Sequence, residues 1–353
     1  MGTQTTWRRG ALAWLVAGSM TMLAACGGTT GEEPSSGGGA TEQDLPLIYG
    51  VFATPLEEPW DGAIHAALEG AVEDGIIEYK HVDNVATADA MERTLRNIAA
   101  NEEPDAIIGD AFAAEEAVRK VAAEFPDIPF SFGSGEGPAE PNVSVFDNWL
   151  QDPAYLSGML AGGLTKSDTI GVVGAMPIPE VNRIVNAFVQ GVKETNPDAT
   201  VKVSFINTFF DPAAAKQAAN AHVAAGADVL FAERDGVIAA AEEADIPVIG
   251  MMVDQQAEAP EHVVTSLIWN MRPTVDAVVE QTEGGPAAVD LGEFSFLNVG
   301  GSEMAPINTD IVGGVPEDLV QQVEEKQAAI MDGSFTTPVD ESAPAGSIDV
   351  SEQ

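Results

Sequence analysis

The sequence predicts an α/β protein of two lobes, each a doubly wound parallel sheet, and three observations carry that expectation. Short apolar runs recur at intervals of ~25 residues. Each is followed by a stretch with helical apolar spacing. The pattern runs through twice, with five strands in each pass.

In the first pass, Leu47–Ala53 is a short apolar run that ends in a Thr54-Pro55 break. Asp61–Asp74 then places Ile64, Ala67, Leu68 and Ala71 on one helical face. Ile76–His81 reads as a strand, Ala86–Asn101 as a helix, and Asp105–Gly109 (DAIIG) as a buried strand leading into helix Ala113–Glu124. Ile128–Phe132 and Val143–Phe146 complete five strands. The second pass begins with helix Pro153–Leu164. Strands at Thr169–Gly174, Val201–Asn207, Val229–Ala232, Val248–Met252 and Val263–Leu267 alternate with helices Pro179–Thr195, Pro212–Ala225 and Gly236–Ala244. Helices Arg272–Gln281 and Glu317–Met331 follow.

The expected organisation is therefore an N-terminal lobe over 45–150 with part of 265–300, and a C-terminal lobe over 151–264 with part of 301–335. Residues 336–353 are poor in apolar groups and are expected to be a disordered tail. Before the lobes, residues 1–25 carry Arg8 and Arg9, no acid, and an uncharged stretch that ends Leu23-Ala24-Ala25-Cys26. A basic start, a short apolar run and small residues before a cut read as a secretory signal. With a cysteine at the cut, it resembles a bacterial lipoprotein signal, in which Cys26 would take a diacylglycerol and anchor the protein to the membrane. Residues 26–44, rich in Gly, Ser and Thr, would be a flexible tether.

The charge balance excludes some partners. Of 353 residues, 56 are Asp or Glu and 15 are Lys or Arg, a formal net charge of −41. Such a surface repels nucleic acid, favours solubility and suits work in high salt, where screening removes the self-repulsion. Cys26 is the single cysteine, so no disulfide can form within the chain and packing alone must stabilise it. No phosphate loop, nucleophile elbow or paired-histidine metal motif is present. The histidines (His65, His81, His222, His262) are scattered, and three of the four read as helix or strand surface. The chain reads as a binder without cofactor or metal, and as a monomer.

Ligands of doubly wound sheets bind beyond the carboxyl ends of the strands. Two chemistries recur in the loops there. Trp60 and Phe209 lie on loops of different lobes and could close on a planar ligand, with stacking on the order of 1–3 kcal/mol per face. Asp110, Asp235 and Asp254 could accept hydrogen bonds from ring N–H and amino groups. Together they fit a nitrogen-rich heterocycle. Competing readings exist: Trp60 as a hydrophobic staple, Asp61 and Asp211 as N-caps, and one of Phe209 and Phe210 turned into the core. Arg234 could pair with Asp235 or bind a ligand oxygen.

Thr169–Gly174 followed by AMPIPEVNRIVNAFVQGVKETNPDATVKVSFINTFFDPAAAKQAANAHVAAGADVLF, with AYLSGMLAGGLTKS at Ala154–Ser167 and TSLIWNM at Thr265–Met271, is similar to the basic membrane protein family of lipoproteins. These are substrate-binding components of ABC importers, related to purine-nucleoside receptors of spirochaetes. The resemblance runs from Leu47 to Met331 and is strongest from Tyr155 to Asn270. It implies a type I periplasmic-binding-protein fold with three crossovers between lobes, an ABC permease as partner, and a purine base or nucleoside as ligand. The loop EEPWDGA departs from the nucleoside-receptor motif and, with Asn207–Pro212, looks like a branch associated with free purine bases. Carried over by position, Trp60 and Phe209 would be the plates. Asp110 or Phe112, Asp235 and Asp254 would line the site, with Trp269 and Asn270 near the hinge. A ligand sensor on the same fold, or a receptor for another small polar solute, is the alternative.

Overall fold

The computed structural model describes residues 45–350 apart from Ala113. The signal-like segment, Cys26 and the tether to residue 44 lie outside the described residues, as do 351–353.

The N-terminal sheet contains β1 (Leu47–Val51), β2 (Glu78–Val82), β3 (Ala106–Asp110), β4 (Phe130–Gly133) and β5 (Val143–Phe146), all parallel, in the order β2-β1-β3-β4-β5. Helices α1 (Pro59–Glu73), α2 (Ala88–Asn101) and α3 (Glu115–Glu124) connect its strands. Strands β3 and β4 are buried throughout, as central parallel strands covered on both faces must be; edge strand β5 is buried too, bridged at Val145 by Asp290, whereas the opposite edge β2 is largely exposed.

The C-terminal lobe opens with α4 (Gln151–Leu164), β6 (Thr169–Gly174), α5 (Pro179–Thr195), β7 (Thr200–Phe205), α6 (Pro212–Ala224), β8 (Val229–Ala232), α7 (Val237–Ala244), β9 (Val248–Met252) and β10 (Val263–Trp269). Then come α8 (Arg272–Gly284), β11 (Ser302–Met304), α9 (Glu317–Met331) and β12 (Ile348–Asp349). Its sheet runs β11-β10-β9-β8-β6-β7-β12, parallel except for the pair β10–β11. Helix α4 packs closely against α5. Gly158 and Gly191 make this approach possible, since a Cβ on either would lie 2.1 Å from Phe188 O or 1.9 Å from Tyr155 O.

The chain passes between the lobes three times. It crosses at 147–150 into α4, at 270–271 into α8, which packs on α1 and β3, and at 291–301 into β11. A bridge between Val145 and Asp290 ties the last segment to the N-terminal sheet before it leaves. This is the type I solute-binding architecture.

Two expectations are corrected. The segment 336–350 is not a loose tail. Asn182 and Asn186 on α5 donate through Nδ2 to the carbonyls of Glu341, Asp340 and Ser342 at 2.8–3.0 Å, Thr337 is buried, and Ile348–Asp349 add a parallel strand beside β7. Polar composition hid this order because the contacts fall on the backbone of the segment. Two of the four histidines are also buried: His222, whose Nε2 meets Val172 O at 3.1 Å, and His262. No helix of the described residues is long and apolar enough to cross a membrane.

Candidate ligand-binding cleft

Each sheet reverses its strand order once in a way that opens a crevice: between β1 and β3 in one lobe, and between β6 and β8 in the other. The loops after β1, β3, β4, β6 and β7 meet around a narrow cavity of about 30 Å³ that is partly open to solvent. That is room for a water or two, far below the roughly 300–1,000 Å³ typical of small-molecule sites, so a planar ligand needs the lobes to part further. Thr54, Glu58, Trp60, Asp110, Phe112 and Ser134 line it from the N-terminal lobe, Glu180 and Phe209 from the other. Ser134, Asn207 and Met252, at or just beyond carboxyl ends of strands, adopt left-handed backbone, as functional loops often do.

The wall after β1 is built around buried acids. Pro59 opens α1 at a position where a missing N–H costs nothing, and Glu58, not Asp61, is its N-cap. Glu58 Oε2 accepts from the backbone N–H groups of Trp60 and Asp61 at 2.9 and 3.2 Å. Asp61 turns inward instead and accepts from Thr54 N and Oγ1 at 2.9 and 2.6 Å. Burial raises the pKa of both carboxyls. Asp211, by contrast, caps α6 as expected, accepting from Ala214 N at 3.0 Å.

Trp60 is nearly buried and stacks on Phe146, with ring centroids 5.9 Å apart and planes 13° apart. Trp269 leans on it from 4.8 Å. Gly133 makes room, since a Cβ there would lie 2.0 Å from Trp60 Cη2. Among the described residues nothing accepts from Trp60 Nε1. Trp60 thus belongs to an aromatic floor rather than to a free plate. Trp269 supports that floor from behind, its Nε1 donating to Ser295 Oγ at 3.2 Å, and does not line the cavity.

At the end of β3, Asp110 is buried with Oδ1 accepting from Phe112 N at 2.7 Å. Burial pushes its carboxyl up to about 7. Phe112, 37% exposed, sits at the rim and meets Phe209 of the other lobe edge to face at 4.9 Å. Phe209, half-buried, packs against the core and lines the cavity, whereas Phe210 is 41% exposed and off it.

Arg234 sits behind the cavity wall and is committed to protein partners. Its Nε donates to Glu233 O and Oε2, Nη2 to Glu233 Oε1 at 2.8 Å, and Nη1 to Phe209 O at 3.0 Å and Glu58 Oε1 at 3.3 Å. Its partners are therefore Glu233, Glu58 and Phe209 O rather than Asp235, and they take four of its five N–H donors. The Glu58 contact joins the two lobes. Asp235 is half-buried, with its carboxyl pKa raised by burial, but lies off the cavity wall. Asp254 is exposed, and its Oδ1 accepts from Gln256 N at 3.0 Å. Asn270 closes a turn, donating to Gly300 O and accepting from Arg272 N. These four positions match the loops that sequence reasoning chose but do not line the cavity. Among the described residues no group of three or more His, Cys, Asp or Glu is placed to hold a metal.

Glu58, Ser134 and Glu180 were not singled out from sequence. Glu58 carried a readable signal, an acid directly before a Pro-Trp helix start. Glu180 looks like any acid in the first turn of a helix.

Two parallel-sheet lobes, three crossovers and a polar-aromatic cleft between strand ends define a solute-binding protein of the kind that serves ABC transporters. A family model for PnrA-like ABC transporter substrate-binding proteins matches residues 54–334, and the chain belongs to that family. A Haloferax volcanii protein, provisionally named an ABC transporter glucose-binding protein, is 32% identical over 72% of this chain; the match spans just under two thirds of that relative, 66%. A purine-binding protein of Brucella abortus is 28% identical over 86% of this chain and 87% of its own. Among solved structures, an ABC transporter solute-binding protein from Conexibacter woesei superposes with a TM-score of 0.67 at 25% identity, over 84% of this chain and 99% of that one.

Proposed function

We propose that this protein is the lipid-anchored receptor of an ABC importer, holding a purine base or nucleoside between its lobes and delivering it to a permease. The observation that carries the reading is the meeting in one small cavity of aromatic rings from both lobes, Phe112 against Phe209 beside the Trp60 floor, with buried carboxyl groups at Asp110 and Glu180. Aromatic faces take up a flat ring, and carboxyl groups accept from its N–H edges. The Brucella relative named for purine binding supports the same class. Anchoring through Cys26 would keep the receptor beside its transporter, on the outer face of the membrane.

A pyranose sugar is the second reading, favoured by the name of the Haloferax relative. Calorimetric titration with adenine, hypoxanthine, guanine, their nucleosides and glucose separates the two. A purine or its nucleoside should bind while glucose does not. Phe209→Ala should weaken purine binding by roughly tenfold, the loss of one stacking face. Glucose binding with no purine uptake would overturn the purine reading, and an unchanged affinity in Phe209→Ala would overturn the stacking.

A further inference from the structure

Glu180 stands apart from every other buried acid in the cleft. Glu58 caps a helix and meets Arg234, Glu233 is held by Arg234 and by Ala175 N, Asp61 by Thr54, and Asp110 by Phe112 N. Glu180 is only 8% exposed, lines the cavity, and has no hydrogen-bond or ion-pair partner among the described residues. Its position in the first turn of α5 gives it the favourable end of the helix dipole. That placement alone does not explain its burial, since an acid there is served equally well by facing water.

A buried carboxylate without a partner is costly and is relieved by keeping its proton. Neighbouring Asp147 and Glu233 push in the same direction, against the partial compensation of Arg183 and Arg234, and the pKa of Glu180 rises to about 8. A neutral carboxylic acid carries an O–H donor beside a carbonyl acceptor. It therefore matches a ligand edge on which a ring nitrogen acceptor stands next to an amino N–H. A carboxylate would instead match two adjacent N–H donors.

We propose that Glu180 is the residue of the C-terminal lobe that reads the ligand, pairing as a neutral acid with the ring-nitrogen and amino edge of a 6-aminopurine. It faces the cavity that Asp110 enters from the opposite lobe, so the ligand would complete its hydrogen bonding only on closure. The proposal rests on the purine reading above and makes that reading more specific.

The test uses the full mature chain with Glu180→Gln, Glu180→Ala and Glu180→Leu, adenine and guanine as probes, and melting of the ligand-free proteins. Glu180→Gln keeps one donor and one acceptor and should hold adenine within about threefold of wild type, whereas Glu180→Ala should lose about tenfold or more. Ligand-free Glu180→Leu should melt at or above the wild-type temperature, because removing an unpartnered buried acid relieves the folded state. A fall in melting temperature for Glu180→Leu would overturn the proposal by showing a structural role, and this arm needs no ligand. Equal losses of adenine in the Gln and Ala variants, or none in either, would overturn it as well, as would tighter binding of guanine than of adenine by the wild type. If the wild type binds no purine while Glu180→Leu melts higher, the purine reading and the 6-aminopurine assignment fail together. The ligand-free result then still distinguishes that failure from a structural role for Glu180.

Discussion

The cleft and the hinge behind it each bury one arginine, and the two are used in opposite ways. Arg183, on α5, sends Nη2 to Asp147 Oδ2 at 2.7 Å and to Asn148 O at 3.1 Å, both in the first crossover. Its Nη1 reaches Glu341 at 3.4 Å, and its guanidinium lies 4.1 Å from the centroid of Trp149. All of these partners sit at the hinge or on the segment that runs along α5. Arg234 instead reaches from the C-terminal lobe to Glu58 of the N-terminal lobe, so its network is complete only when the lobes are together. One arginine is a strut of the fold. The other is a latch on one of its states.

The difference predicts where the loss of each guanidinium is felt. Arg183→Met should cost about 3 kcal/mol of global stability, the low end of the roughly 3–5 kcal/mol for breaking a buried ion pair. Asp147 keeps some access to water, which limits the loss. The measurement is denaturant unfolding of the ligand-free protein, with ligand affinity little changed. A loss of affinity as large as the loss of stability would remove the distinction between the two sites.

Arg234→Met leaves Glu58 and Glu233 buried without their cation. Opening the lobes rehydrates Glu58, so the variant has an escape that the hinge variant lacks. The expected outcome is a shift toward the open form, read as a larger radius of gyration in solution scattering and a ~10–100-fold weaker apparent affinity. Melting should fall less than in Arg183→Met. If it falls further and the radius does not change, Arg234 is a strut too and the comparison breaks.

Much of this was readable in the residues, because periodicity and strand order are local or nearly local properties. The run DAIIG reads as a buried strand, and β3 is buried along its whole length. The rule that parallel sheets bind beyond their strand ends then pointed to the loops that carry Trp60, Asp110, Phe112 and Phe209. What was not readable depended on the other lobe or on distant backbone. Glu180 resembles an ordinary helix-terminal acid until both lobes cover it. Arg234 looked free to meet a ligand until Glu58 arrived from across the cleft. Asp254 and Asn270 sat in the right loops but spend their side chains on their own turns, a choice made by backbone geometry that composition does not encode.

The same contrast extends to protons. Burial holds Asp110 at about 7 and Glu180 at about 8, while the unfolded chain releases these protons near pH 4. Between those limits the folded state binds more protons than the unfolded one, so stability falls as pH rises. The contribution is fully present below about pH 4, is lost through about 7 and 8, and amounts to at most ~1.4 kcal/mol per pH unit for each group. Burial of His65 and His222 lowers their pKa and works in the opposite sense, so the readout is a difference between proteins. Melting of the ligand-free wild type relative to the Asp110→Asn, Glu180→Gln double variant should drop between about pH 5 and about pH 8. Parallel curves would mean that the cleft carboxyls keep water in the ligand-free protein. The Arg234 latch would then not hold the cleft shut without a ligand, whereas the Arg183 strut would be unaffected.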